Sequence, residues 1–311
     1  MQSLAIGPQL RGESRAAKRL RFHQSWYRAH VLRVGYGRLT GPRGRELGSV
    51  LTADDGKRGL NFVTVAAHKL YLDRRDAGWG VEPDRCERYL TSSQALAINL
   101  MGPLLESTDW LGRVMQSLTG SLGTYEIERA EIEFAPARPS EYLGDKTRVD
   151  VFMVLRQGAH RRVVVVEIKY SDRFNSRNVN VVDNPRYAEL NRVTAIWRDD
   201  WRCHLNQEAS QLFRCHALAA AHQSPLESWV SAPLLMVWHH PCDSRARPAV
   251  ERYANLLRDR ASTMAVGLDR ILEVMRTEAG DGRQRAVVDR LTVRYLAHEL
   301  SEPSWRRHIA P

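Results

Sequence analysis

The chain has 311 residues, 43% of them hydrophobic and 26% charged, with a mean hydropathy of −0.43. That is apolar material for one elaborated domain or two small ones. It excludes a disordered chain, and no apolar run approaches the ~20 residues of a membrane span. The balance of 46 Lys and Arg against 36 Asp and Glu leaves a net charge of +10, which favours polyanions such as nucleic acid, although an arginine-rich solvated surface gives the same count.

The opening residues, MQSLAIGPQLRGESR, lack the basic start and long apolar stretch of a secretory signal, so a cytoplasmic location is expected. Residues 11–45 are strongly basic: Arg11, Arg15, Lys18, Arg19, Arg21, Arg28, Arg33, Arg38, Arg43 and Arg45 face only Glu13 and Glu46. Leu20, Trp26, Tyr27, Val31 and Leu32 are interleaved. Residues 14–33 read as a helix with a mixed face, closed by Gly35, Gly37, Gly41, Pro42 and Gly44. Such a segment suits a nucleic-acid-facing arm and equally a peripheral helix packed on a core.

Residues 62–72 favour helix over strand. Thr91, Ser92 and Ser93 offer an N-cap to the apolar stretch 94–101, which Gly102-Pro103 is expected to interrupt before a further helix at 104–118. YEIERAEIEF (125–134) alternates in part and reads as a long strand. Pro136, Pro139 and Gly144 make 135–146 a loop. RVDVFMVL (148–155) is a strand, 157–161 a turn containing Gly158, and RVVVVEIKY (162–170) a second strand. Its apolar run turns polar at the end, the profile of a central strand buried on both faces with its polar end at a site. Residues 172–200 carry loop signals. A helix at 206–221, a short strand at 234–238, a helix opened by Pro248 and running to about 276, and a last helix at about 284–299 follow. The stripe Val250, Tyr253, Leu256, Leu257, Met264, Leu268, Ile271, Leu272 and Met275 reads as core in preference to a dimer seam.

The chemistry concentrates at Asp150, mid-strand among apolar neighbours, and at Glu167-Ile168-Lys169. Charges there are costly unless paired or bound to metal. Residues i and i+2 of a strand share a face, so Glu167 and Lys169 point one way and Ile168 the other. A hairpin across 157–161 puts Asp150 opposite residues near 168–169, and a register offset or twist then brings it to Glu167. Two carboxylates suit a hard cation, and a lysine suits the orientation or deprotonation of an attacking water. The plain alternative is a structural ion pair in a half-exposed hairpin.

The segments T-R-V-D (147–150) and V-V-V-V-E-I-K-Y (163–170) resemble the motif of the PD-(D/E)XK nuclease superfamily, the restriction-endonuclease-like fold, with Val149 where the name has proline. The resemblance covers the middle of the chain. It implies an α/β fold, a mixed central β-sheet flanked by helices, with helical N- and C-terminal additions. The partition expected from it is a basic, mostly helical extension at 1–90, a nuclease core at 91–240 and C-terminal helices at 241–311. It implies Asp150, Glu167 and the main chain of Ile168 as metal ligands, Lys169 as the assistant of the water, and Mg²⁺ as the ion, with Mn²⁺ substituting. An upstream glutamate is also implied: Glu106, with Glu131 and Glu133 competing. A glutamine on the following helix matches Gln211, with Gln207 one turn earlier and Arg214 on the same side, within reach of phosphate.

The implied function is a Mg²⁺-dependent deoxyribonuclease acting in defence against foreign DNA or in DNA processing, with DNA favoured over RNA and a homodimer open to it. An inactive nucleic-acid-binding module of the same fold and a ribonuclease stand beside it. Some nucleases of this kind carry an iron–sulfur cluster on one upstream and three close downstream cysteines. The gaps among Cys86, Cys203, Cys215 and Cys242 are too long and irregular for that, and all four read as small buried hydrophobes. Cys203-His204, Cys215-His216, His239, His240 and Cys242 form a weaker zinc set, because adjacent helical residues point about 100° apart. No phosphate-binding G-x-x-x-x-G-K-[ST] loop, G-x-S-x-G elbow or H-E-x-x-H helix is present.

Overall fold

The structure is a computed structural model and describes residues 5–41, 44–78, 80–144, 146–171, 174, 180–223 and 232–309. Pro42 and Arg43 of the basic segment, and 172–173 and 175–179 of the expected loop, lie outside the described residues. In chain order the first elements are α1 (Arg15–Tyr27), a π-helical turn (Arg28–Leu32), β1 (Gly37–Arg38), β2 (Glu46–Leu47), α2 (Ala53–Lys57), α3 (Val65–Asp76), α4 (Pro83–Arg88), α5 (Ser93–Glu106) and α6 (Thr108–Thr119). Then come β3 (Glu126–Phe134), β4 (Val149–Gln157), β5 (His160–Lys169), α7 (Pro185–Thr194), α8 (Trp201–His204), α9 (Gln207–Gln223) and β6 (Leu234–His239). The chain closes with α10 (Ala246–Ala254), β7 (Thr263–Gly267), α11 (Leu268–Thr277), α12 (Gly282–Tyr295) and α13 (His298–Ile309). Contacts divide it into two compact units, Met1–Glu106 with Met275–Pro311, and Ser107–Val274. Among the described residues no helix is long and apolar enough to cross a membrane.

In the first unit, part of the basic segment is consumed by packing. Arg28 is fully buried and donates to the carbonyls of Gly48 (2.8 Å), Ala5 (2.6 Å), Ile6 (3.1 Å) and Val34. Arg19 pairs with Glu302 at 3.1 Å and Arg21 with Glu13 at 2.8 Å. Arg11, Arg15, Lys18, Arg33, Arg38 and Arg45 stay exposed, so one segment serves both packing and surface.

Gly102-Pro103 does not interrupt α5, contrary to the expectation from local breakers. The helix runs through both residues, which are buried. Proline removes one N–H from the ladder, but the missing side chain of Gly102 lets α3 approach: a Cβ there would stand 2.4 Å from Ala67 Cα. Interhelical packing outweighs the breaker. Gly102→Ala is therefore expected to destabilise the protein by about 1–3 kcal/mol through overpacking, read as a lower denaturant midpoint with unchanged slope.

The second unit holds a five-stranded sheet in the order β3-β4-β5-β6-β7, antiparallel across the first two junctions and parallel across the last two. Valines 163–166 of β5 are buried on both faces of the sheet, as the continuous apolar run foretold. Val163 and Val165 share a core with Phe152, Val237, and Leu212, Phe213 and Leu218 of α9.

Two expectations fail in this unit. The single helix expected from Pro248 to about 276 is α10, β7 and α11. Met264-Ala265-Val266 pairs in parallel with β6, and a short apolar run of this kind has no period that separates strand from helix. The stripe through it is nevertheless core: all its members are buried except the half-buried Met264. The region 172–200 also contains α7, with Asn184 accepting from Arg186 N–H and Pro185 in the first turn, a start signal of the usual kind.

The β4–β5 hairpin is tighter than the expected turn. Gln157 pairs with His160, leaving only Gly158 and Ala159 between the strands, with Gly158 in the left-handed region at φ 60°. This tight turn sets the register of everything that follows.

Candidate active site

Val151 pairs with Val166, so Asp150 lies level with Glu167. The register offset invoked for the longer turn is unnecessary. On the other side of β4, Ile132 pairs with Val151 and Phe134 with Val149, which sets Glu133 level with Asp150. Three neighbouring strands thus carry Glu133, Asp150 and Glu167 in one row. Glu133 adopts a left-handed backbone, φ 49°, a conformation that costs on the order of 1–3 kcal/mol in a non-glycine residue. It is buried, and Arg148 Nη1 stands 3.9 Å from its Oε2.

The side chains form a connected cluster. Lys169 Nζ lies 2.7 Å from Glu167 Oε1, both side chains buried. Gln211 Nε2 donates to the same Oε1 at 2.6 Å, and Lys169 Nζ donates to Gln211 Oε1 at 3.3 Å. One turn on, the Cys215 thiol donates to Glu167 Oε2 at 3.7 Å. Burial and the Glu167 charge push that thiol well above its usual range, so it keeps the proton it donates. The ammonium of Lys169 also sits 5.2 Å from the Phe174 ring centroid. Ile168 points its side chain into the core and donates its N–H to Asp150 Oδ2 at 2.6 Å.

Asp150 pays for this company. Burial first, then the charges of Glu167 and Glu133, push its carboxyl well above the usual carboxylate range. Lys169 and the Ile168 N–H oppose that shift without cancelling it. A desolvated excess of negative charge of this kind calls for a cation.

Asp150, Glu167, Ile168, Lys169 and Gln211 therefore converge. Glu131 is engaged by Arg129 at 2.6 Å. Glu106 belongs to the other unit, where it ends α5 with an exposed side chain, and its assignment rests on sequence alone. Cys215 was missed as part of the site, although its spacing of four from Gln211 puts both on one helix face. The cysteines form no disulfide: Cys86 and Cys215 are buried as expected, whereas Cys203 and Cys242 are exposed. His216, pushed down to about 4 by burial, is spent on Tyr253 Oη and Pro233 O, each at 2.9 Å.

Among the described residues no group of three or more His, Cys, Asp and Glu side chains stands ready to hold a metal ion. The donors at hand, two level carboxylates and a main-chain carbonyl, are hard oxygens. Magnesium commonly takes one or two carboxylates and fills its remaining positions with water and substrate phosphate, so the donor set fits it without a third side chain.

Gln211 holds the Glu167 carboxylate and the Lys169 ammonium together. Gln211→Ala is expected to loosen both groups and to weaken Mg²⁺ binding at this cluster by about 10–100-fold, measured by titrating the full chain with Mg²⁺.

The profile of the PD-(D/E)XK nuclease superfamily, whose members typically use divalent metals, matches residues 11–297. No curated protein and no solved structure matches the chain.

Proposed function

Because the chain belongs to the PD-(D/E)XK nuclease superfamily, we propose that the Asp150, Glu167, Lys169 and Gln211 cluster is the active centre of a magnesium-dependent nuclease that hydrolyses phosphodiester bonds of DNA. The observation that carries the reading is the joint placement of a desolvated aspartate level with a glutamate that is itself bound to lysine and glutamine. A merely structural ion pair has no use for the additional, costly carboxylate of Asp150.

Asp150, Glu167 and the Ile168 carbonyl would hold the ion. When bound, Mg²⁺ supplies an activated water and polarises the phosphoryl oxygens. Asp150 must be ionised to take part, and its charge is oriented by the Ile168 N–H. Lys169 Nζ, fixed by Glu167 and Gln211, orients the attacking water or balances charge on the phosphate. Gln211 and Cys215 grip the two oxygens of Glu167 from consecutive turns of α9 and limit its rotation. A single centre of this type cuts one strand at a time, so cutting a duplex calls for a second copy or a second event. Defence against foreign DNA or DNA processing is the role proposed for such an activity.

The test is incubation of supercoiled plasmid, linear duplex and single-stranded RNA with the full chain, with Mg²⁺, Mn²⁺ or EDTA. Metal-dependent nicking or linearisation of plasmid with intact RNA supports the reading. Cleavage of RNA alone shifts it to a ribonuclease. Salt-sensitive binding with no cleavage of any substrate refutes the enzyme and leaves a binding module of the same fold.

A further inference from the structure

Three arginines are buried among the described residues: Arg28, Arg214 and Arg294. Two of them have both terminal nitrogens bonded. Arg28 donates to four main-chain carbonyls. Arg294 donates to the Asn61 carbonyl and side chain, and lies against the rings of Tyr27 and Tyr295. Arg214 differs. It is 8% exposed, yet among the described residues it makes one hydrogen bond, Nη1 to Thr147 Oγ1 at 3.2 Å. Its Nη2 makes no hydrogen bond among the described residues, its Nε, like that of Arg294, is buried without an acceptor, and no carboxylate of the described residues lies within ion-pair distance of it.

A guanidinium carries five N–H donors and a charge that does not dissociate. Burying it against one hydroxyl is unfavourable unless an anion completes it. A second observation points the same way. Ser210, one turn earlier on α9 and so on the same face, is also 8% exposed, and its Oγ is buried without a partner. Thr147, the third member, is 4% exposed and lies three residues before Asp150. The helix therefore divides its duties. Gln211 and Cys215 reach Glu167 on β5, whereas Arg214 reaches the approach to β4.

We propose that Arg214, with Ser210 and Thr147, forms an anion subsite that takes a backbone phosphate of the nucleic acid beside the one being cut. A tetrahedral phosphate accepts two parallel N–H bonds from one edge of a guanidinium and a further bond from a hydroxyl, the bidentate recognition that guanidinium favours. The identity of the anion as a substrate phosphate rests on the nuclease reading; the existence of the anion subsite does not.

Inorganic phosphate is the first probe, added to the full chain at ionic strength held constant with NaCl. It is expected to raise the melting temperature of the wild type and not that of Arg214→Met, with Ser210→Ala showing a reduced rise. The second probe is a short DNA duplex in EDTA, with affinity followed across salt concentrations. Arg214→Met is expected to bind roughly tenfold more weakly and to lose about one unit of the salt slope. Arg214→Lys keeps the slope, because the charge remains, but not the full affinity. Should Arg214→Met fail to fold, Arg214→Lys and Ser210→Ala must each still weaken phosphate binding relative to wild type. A phosphate response that is absent, or equal in wild type and variants, overturns the subsite. A phosphate response lost in the variants with duplex slope and affinity unchanged overturns its assignment to the substrate. A chain that cut no nucleic acid but kept the Arg214-dependent phosphate response would refute the nuclease and leave the anion subsite standing.

Discussion

On the proposed function, replacing Lys169 with methionine is expected to lower the cleavage rate by about 10²–10⁴-fold and to leave folding and DNA affinity largely intact. The reason is the division of labour around Glu167. In the wild type the ammonium stands 2.7 Å from Glu167 Oε1, but Gln211 also donates to that oxygen and Cys215 to the other. Without the lysine the glutamate is not orphaned, so the stability loss stays below the ~3–5 kcal/mol of a buried charge stripped of its only partner. Methionine also keeps an apolar stem near Phe174, over which Lys169 now lies. The missing positive charge is then felt by chemistry. Lys169 opposes the upward shift of the Asp150 carboxyl, so the residual activity of the variant should need a higher pH than the wild type. Single-turnover cleavage across pH, with duplex affinity measured in EDTA, checks both parts. A variant that cuts within a few-fold of wild type at the same pH optimum would sink the assignment of Lys169 to the active centre.

The convergence of these residues was legible in the sequence because strand geometry is short-range. The alternation of Glu167, Ile168 and Lys169 fixes which side each faces, and four valines before them mark the strand as central. The superfamily membership and the mixed five-stranded sheet bear out that reading of fold class. What local pattern could not supply was register. The difference between a turn over 157–161 and one over Gly158-Ala159 decides whether Asp150 stands level with Glu167 or with residues beyond it. Nor could it supply β7, whose identity depends on pairing with β6, or the continuity of α5 through Pro103, which depends on the close approach of Ala67. The solitude of Arg214 was equally invisible: Q-L-F-R looks the same whether the arginine meets a carboxylate or, as here, one threonine hydroxyl.

Replacing Asp150 with asparagine is expected to abolish cleavage and, in EDTA at pH 8, to raise the melting temperature. The sign follows from the direction of the shift. The carboxyl is held well above its usual range in the folded protein by burial and by Glu167 and Glu133, so folding disfavours its ionised form. At a pH below the ordinary carboxylate range it is protonated both folded and unfolded, and Asp150 carries no penalty. As pH rises through that range the unfolded chain ionises first. The penalty grows until pH passes the raised folded value, where it is complete. Asparagine escapes it at every pH and still offers an oxygen to the Ile168 N–H, which now donates to Asp150 Oδ2. The gain should amount to a few degrees, each kcal/mol being worth about 2–4 °C in a unit the size of Ser107–Val274, and it should shrink as pH is lowered towards 4. Mg²⁺ should reverse the order by stabilising the wild type alone, because a ligand that binds the folded state adds its binding energy to folding. An aspartate whose removal destabilised the metal-free protein at pH 8 would be a structural anchor, and the strain that we attribute to function at this position would not exist.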